Sequence, residues 1–293
     1  MKKILLLVSM FLVSAPANAQ RDGDTSTPKG KVYVYKQVDG VDREMEIYFP
    51  KGKHTDKKPV AGIILFHGGG WGGGSRQAFS YQCDYFARRG MVAATVTYRL
   101  RTKEDRAALT AGQSTKRVCI PDVKSAIRWF KQNAKELGVD PNRIVAGGGS
   151  AGGHICLLGT TNPGLNDPDD NNEIDTSVAA YVLFNPAISK KDATDPEVDF
   201  LRHLKADFGP AIVFFGSEDK WMTDGWMHAA AKMKSLGVTS VQMKIAQGQT
   251  HAFFNKQPWK DITLIAADQF LTELGYLQGK PTLSMPKTGE MLR

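Results

Sequence analysis

The chain alternates short apolar runs with stretches of helical apolar spacing, and this alternation limits its possible folds more than any other feature. The run at 61–66 contains no polar residue, as expected for a strand buried on both faces. Val123, Ile127 and Phe130 have the spacing of one helix face. Because strands that alternate with helices build a mostly parallel sheet covered on both faces, we predict a single α/β domain.

The predicted elements leave two segments outside the alternation. Residues 162–175 are acidic and rich in Asn and Pro, which indicates a solvated loop, and their spacing does not match a calcium-binding EF-hand loop. Residues 189–209 form a polar insertion that we expect to make at most a small cap. Strands are predicted at 31–38, 44–49, 61–66, 91–98, 143–146, 178–184, 211–215 and 241–246, and helices at 75–89, 121–137, 151–160, 225–236 and 259–274.

The first residues do not follow this pattern. Two lysines precede an apolar run at 4–13 that is too short to span a bilayer, and the small residues Ala17 and Ala19 suit a cleavage site. We predict a secretory signal peptide at 1–19 and one mature domain at 20–293, in the periplasm or outside the cell. No later apolar run reaches 18 residues, so no membrane span is expected.

Charge and cysteine spacing argue against a nucleic-acid-binding protein and against a cysteine metal site. The formal net charge is +8, and it falls to +6 without the two N-terminal lysines (36 basic against 30 acidic residues). The cations are dispersed, so no nucleic-acid partner is predicted. Cys83, Cys119 and Cys156 lack metal-site spacing, and an odd number of cysteines leaves at least one thiol free. The sequence does not decide whether Cys119 and Cys156 form a disulfide.

A single serine lies among five glycines at 147–153. Gly148, Ser150 and Gly152 match G-x-S-x-G between a predicted strand and a predicted helix. Such a turn exposes the serine hydroxyl and needs small neighbours, because strand and helix approach closely there. The lysine of a phosphate-binding loop is missing. We therefore predict that Ser150 is a nucleophile, although the motif does not explain the glycines at 147 and 149.

A second glycine run follows the predicted strand at 61–66 directly, with His67 at its start. Glycines let backbone N–H groups turn towards a developing oxyanion without a side chain in the way. We predict that the N–H groups of Gly69, Gly70 and Ala151 bind the oxyanion, and that His67 holds the loop by hydrogen bonds.

A serine hydroxyl needs a base, and the base needs an orienting carboxylate. Of the histidines after Ser150, only His251 follows a predicted strand at its carboxyl end, where ligand and catalytic groups of α/β sheets collect. Asp219, after the strand at 211–215, is predicted to orient His251, with Glu218 as the alternative. Asp224 is predicted to cap the next helix. No metal or cofactor is expected.

These residues resemble the α/β-hydrolase superfamily, particularly hormone-sensitive-lipase-type esterases and secreted acetyl xylan and feruloyl esterases. The resemblance implies a serine carboxylic ester hydrolase with a small cap or none. The implied substrates are short-chain acyl esters, foremost acetyl esters of carbohydrates. The substrate would be a small molecule or an oligosaccharide. Trp71 and Trp221 are candidate substrate-lining residues, and Trp71 is expected to narrow the entrance. A peptidase of the same fold and a non-catalytic ligand-binding protein remain the alternatives. The resemblance spans about 40–275 and is carried by His67-Gly68-Gly69-Gly70, Tyr98-Arg99-Leu100, Pro121-Asp122, Ala126-Ile127-Arg128-Trp129, Ser150, Gly216, Asp219 and His251.

Overall fold

The computed structural model describes residues 29–51 and 58–293. The predicted signal peptide lies outside the described residues. Eight strands form one sheet: β1 (Lys31–Val38), β2 (Val41–Tyr48), β3 (Val60–Phe66), β4 (Val92–Val96), β5 (Val139–Gly149), β6 (Ala180–Phe184), β7 (Ala211–Gly216) and β8 (Val241–Ala246).

The strand order in the sheet is β1-β2-β4-β3-β5-β6-β7-β8. β1 and β2 pair antiparallel, and β2 also runs antiparallel to β4. All pairs from β4 to β8 are parallel, so the carboxyl ends of these strands meet at one edge. The predicted α/β class is confirmed.

The α-helices cover both faces of the sheet. Buried side chains of the helices at 120–132, 151–161 and 227–235 share one apolar cluster with one face, and those of the helices at 80–88 and 259–273 share the second with the other. The α-helices are α1 (Ser80–Arg88), α2 (Lys103–Ala108), α3 (Ile120–Gln132), α4 (Ala134–Leu137), α5 (Ala151–Thr161), α6 (Phe200–His203), α7 (Met227–Ser235) and α8 (Trp259–Glu273).

Several predicted boundaries were wrong. The strand predicted at 143–146 is β5, which is eleven residues long and includes three glycines of the run. The helix predicted at 121–137 is divided at Asn133 into α3 and α4. Helix α2 was not predicted, because it has no buried residue and therefore no apolar period. The described part of the chain holds no helix that is long and apolar enough to cross a membrane.

The two segments outside the alternation make more contacts with the rest of the domain than the sequence indicated. The loop at 162–175 is not simply solvated, because Asp167 pairs with Lys36, and Asp170 Oδ2 lies 2.8 Å from Arg128 Nη1. The insertion at 189–209 buries Phe200 in the core beside α5.

One further expectation was wrong, and the structure decides the disulfide that the sequence left open. Asp224 does not cap the next helix, because it lies inside a π-helical turn, Met222–Trp226, that leads directly into α7. The three cysteines are buried free thiols, so the disulfide between Cys119 and Cys156 is absent from the structure.

Candidate active site

Ser150 occupies the turn between β5 and α5 in a backbone conformation that is rare for a residue with a side chain. Its φ is 53° and its ψ is −119°. Its N–H donates to the carbonyl of Phe184 at 2.9 Å, and its own carbonyl accepts from the N–H of Ala187 at 2.9 Å. Strained residues of this kind persist only where surrounding structure fixes them. Ser150 is therefore held at the carboxyl edge of the sheet by the strand next to its own.

The glycines around Ser150 lie where neighbouring atoms leave no room for a Cβ. A Cβ on Gly152 would lie 2.0 Å from the carbonyl oxygen of Phe66, and one on Gly148 would lie 2.5 Å from the same atom. The motif left Gly147 unexplained, but a Cβ there would lie 2.0 Å from the Val182 oxygen on β6. A Cβ on Gly149 would meet the Phe254 ring at 2.6 Å. The run thus packs β5 tightly against its neighbours.

The structure brings Ser150, His251 and Asp219 together. Ser150 Oγ lies 2.7 Å from His251 Nε2, and His251 Nδ1 lies 2.7 Å from Asp219 Oδ2. The Asp219 side chain is fully buried, whereas the His251 side chain is 32% exposed. In this arrangement Nδ1 donates its hydrogen to the carboxylate, which leaves the lone pair of Nε2 free to accept the serine proton.

The alternative site residues lie elsewhere. Glu218 is exposed, whereas Asp219 is buried and its Oδ1 accepts from the Trp221 N–H at 3.0 Å. His154 is buried in α5, with Nε2 3.0 Å from the Val198 carbonyl, and burial lowers its pKa well below the ordinary value. His203 Nε2 contacts the Pro196 carbonyl at 2.9 Å.

The second glycine run forms a loop beside the serine. Its Gly69, Gly70 and Trp71 have successive positive φ values of 125°, 61° and 65°. A Cβ on Gly68 would lie 3.2 Å from Ser150 Cβ, so the loop touches the nucleophile candidate. Among hydrogen bonds between described residues, none uses the N–H of Gly69, Gly70 or Ala151 as donor. Within the described residues these three N–H groups therefore have no acceptor.

Histidine and tyrosine rings hold the base of this loop. The His67 ring stacks on Tyr98 with centroids 4.4 Å apart, and Tyr98 Oη donates to the His67 carbonyl at 2.7 Å. His67 Nδ1 also lies 2.7 Å from the Gly68 carbonyl oxygen. Burial lowers the pKa of His67, which favours the neutral ring. These contacts agree with a holding role for His67.

The two tryptophans differ in exposure. Trp71 is 6% exposed, and its ring centroid lies 6.2 Å from that of Trp221. Trp221 is partly exposed, and its ring lies 6.3 Å from the His251 ring. Trp71 is almost completely covered by its neighbours and therefore exposes little surface itself. Trp221 offers the aromatic surface beside His251.

Asn185 also lies at this site, although the sequence motifs did not predict it. It directly follows β6, the strand next to β5, and its Nδ2 lies 3.2 Å from Asp219 Oδ2. The available signal was its position: a polar residue at the carboxyl end of a buried parallel strand. Within the described ranges, no group of three or more His, Cys, Asp or Glu side chains is placed to hold a metal ion.

The chain is similar to proteins with esterase names. It is 34% identical to esterase LipC of Mycobacterium tuberculosis over 52% of this chain and 37% of that protein, and 31% identical to bovine (Bos taurus) arylacetamide deacetylase over 73% and 50%. The chain thus spans half the length of these curated relatives or less. The apo form of Thermogutta terrifontis esterase 2 superposes with a TM-score of 0.75 at 36% identity, covering 87% of this chain and 98% of that one.

The protein has a mostly parallel sheet covered by helices, and a serine at a strained strand-to-helix turn lies beside a histidine and an aspartate. This fold and site define an α/β-hydrolase. The BD-FAE family model matches residues 45–195, which are more than half of the chain. The chain belongs to the BD-FAE family.

Proposed function

We propose that this protein is a serine carboxylic ester hydrolase. The proposal rests on the hydrogen-bonded line from Ser150 Oγ through the His251 ring to Asp219, with both distances 2.7 Å. Ser150 attacks the ester carbonyl while His251 Nε2 takes its proton, and His251 then protonates the leaving alcohol. Water repeats the sequence on the acyl-enzyme and releases the acid. The names of the similar proteins, esterase and deacetylase, support this reaction.

The oxyanion of each tetrahedral intermediate is bound by backbone donors. The donors next to Ser150 are the N–H groups of Gly69, Gly70 and Ala151. None of them donates a hydrogen bond to another described residue. Donors that a fold positions in advance need little reorganisation when charge develops. One such donor is typically worth about 3 kcal/mol of transition-state stabilisation. Ala151 N–H also lies at the start of α5, where the helix dipole favours negative charge.

The acyl group is short, and acetyl esters of carbohydrates are the foremost substrates. Two solved structures of Thermogutta terrifontis Est2, 35% identical to this chain, hold propionate and butyrate, which are short carboxylates. Trp221 beside His251 supplies a partly exposed aromatic face. Aromatic faces suit the apolar surface of sugar rings as well as aryl leaving groups.

Residues 1–19 direct secretion, and the mature chain starts at Gln20.

Steady-state kinetics test the reaction and the acyl preference together. Acetyl, butyryl and octanoyl esters of 4-nitrophenol are compared, and acetate release is measured on acetylated xylan oligosaccharides. We expect kcat/KM to fall from acetyl to octanoyl, and the Ser150→Ala variant to be inactive on every ester. Higher kcat/KM for octanoyl esters would contradict the short-chain proposal. Cleavage of aryl acetates without acetate release from xylan would remove the carbohydrate substrate and keep the esterase.

Secretion is tested separately by N-terminal sequencing of the protein recovered from the periplasm or medium of the expressing cell. The proposal expects Gln20 as the first residue. An intact N-terminus on protein that stays inside the cell would contradict it.

A further inference from the structure

Asn185 is held rigidly beside the Ser150–His251–Asp219 line. Its φ of 38° lies in the left-handed region, which Asn adopts more readily than most residues. Its N–H donates to the Phe214 carbonyl at 2.8 Å, and its side chain has no exposed surface. The buried amide lies beside the Asp219 carboxylate, with Nδ2 towards it.

The amide nitrogen of Asn185 shares an acceptor with His251. Asp219 Oδ2 lies 2.7 Å from His251 Nδ1 and 3.2 Å from Asn185 Nδ2. The two nitrogens are 2.9 Å apart. Nδ1 carries a hydrogen when Nε2 accepts from Ser150, so both nitrogens are donors and do not bond to each other. They lie close together because both donate to Asp219 Oδ2. The Asp219 carboxylate is thus held at both oxygens, since Oδ1 accepts from the Trp221 N–H.

The other end of the amide is left without a partner. Asn185 Oδ1 is buried and, among the described residues, accepts no hydrogen bond. A buried unpaired oxygen costs free energy, and an apolar side chain of similar volume would avoid that cost. The opposite amide orientation would direct Oδ1 at a carboxylate oxygen. The amide is therefore retained for the hydrogen bond that its nitrogen gives to Asp219.

We propose that Asn185 is a positioning residue that acts through Asp219. Its Nδ2 fixes Oδ2 in the line of His251 Nδ1, so that the imidazole keeps the tautomer and orientation in which Nε2 faces Ser150. Asn185 touches no reacting atom. The inference rests on the proposed ester hydrolysis and adds a residue to that same site.

A double-mutant cycle tests this role with a simple aryl acetate as substrate. Asn185→Ala is expected to lower kcat about tenfold to a hundredfold, with KM within about twofold of the wild type. Asp219→Asn alone is expected to lower kcat about 10⁴-fold. Adding Asn185→Ala to Asp219→Asn is expected to lower kcat by less than about a further twofold, because the carboxylate that Asn185 orients is gone.

A matched control separates positioning from stability. Asn162 is also buried, with its amide bonded to the Glu197 carbonyl at 2.7 Å, and its loop lies away from the triad candidates. Asn162→Ala should lower the melting temperature and leave kcat unchanged. The proposal fails if Asn185→Ala lowers kcat by the same factor with and without Asp219→Asn, or if it behaves as Asn162→Ala does.

An isosteric exchange covers the case in which Asn185→Ala does not fold. In the Asn185→Asp, Asp219→Asn double variant the carboxylate and the amide change places, with a carboxylate oxygen 2.9 Å from His251 Nδ1 in place of Nδ2. We expect kcat at least about tenfold above that of Asp219→Asn alone. No recovery in a folded double variant would overturn the proposal. An inactive wild type would instead overturn the ester hydrolase proposal, so the two failures are distinguishable.

Discussion

Ser150 Oγ and His251 Nε2 lie 2.7 Å apart, although 101 positions of the chain separate them. Ser150 is fixed by a strained turn after β5, and His251 by the loop that follows β8. Both turns lie at the carboxyl edge of the parallel strands, so the sheet topology alone brings these side chains to one side of the molecule.

Gly147→Ala should destabilise the sheet. The new Cβ would lie 2.0 Å from the backbone oxygen of Val182, which cannot move without displacing β6. We expect a loss of at least about 1–3 kcal/mol in the free energy of unfolding, measured by urea denaturation.

Gly209→Ala is the matched control for this effect. The atom nearest its new Cβ is the Ala179 oxygen at 3.6 Å, which is ordinary contact. Its stability should stay within about 1 kcal/mol of the wild type. Equal losses in both variants would show that crowding against β6 is not why position 147 is glycine.

Tyr98→Phe should weaken the glycine loop and slow the reaction. The variant loses the hydrogen bond from Tyr98 Oη to the His67 carbonyl, at the start of the loop that carries Gly69 and Gly70. We expect about 1 kcal/mol of lost stability and a severalfold lower kcat with little change in KM.

Tyr181→Phe removes a comparable hydroxyl far from the loop, one that donates to Thr160 Oγ1 at 3.0 Å. It should lower the melting temperature without lowering kcat. If both variants kept wild-type kcat, the hydroxyl of Tyr98 would have no part in holding the oxyanion donors.

Acid should weaken the contact between Asp167, in the loop at 162–175, and Lys36 on β1. Burial raises the pKa of Asp167, but hydrogen bonds from Lys36 and the Asp169 N–H outweigh burial and hold that pKa below its ordinary value. Because the folded pKa is depressed, the stabilisation is present above the unfolded pKa of about 4 and is lost as the pH falls through the lower folded value.

Asp167→Asn isolates this contribution. The variant should be about 1–3 kcal/mol less stable than the wild type at pH 7, and the difference should shrink steadily below about pH 4. Urea denaturation at pH 7, 5, 4 and 3 measures it. A difference that stays constant over this range would mean that the charge of Asp167 does not stabilise the fold.

Much of the fold and most of the candidate site followed from local pattern. The buried runs identified the parallel strands, and the turn motif with the chain order of Ser150, Asp219 and His251 selected residues that the structure brings together. Contacts between distant segments left no local signal. The amide of Asn185 reaches Asp219 across 34 positions, and Asp167 meets Lys36 across 131. The burial of Trp71 also depends on tertiary packing and could not be deduced from its place in the motif.

The most direct test of the central claim is covalent labelling of the nucleophile. The protein is treated with diethyl 4-nitrophenyl phosphate, and the attachment site is found by peptide mass spectrometry while residual activity on an aryl acetate is followed. The account predicts one diethylphosphoryl group per chain, on Ser150, with activity lost in proportion to labelling and no labelling of Ser150→Ala. Labelling at another residue, or full activity after Ser150 is labelled, would contradict it.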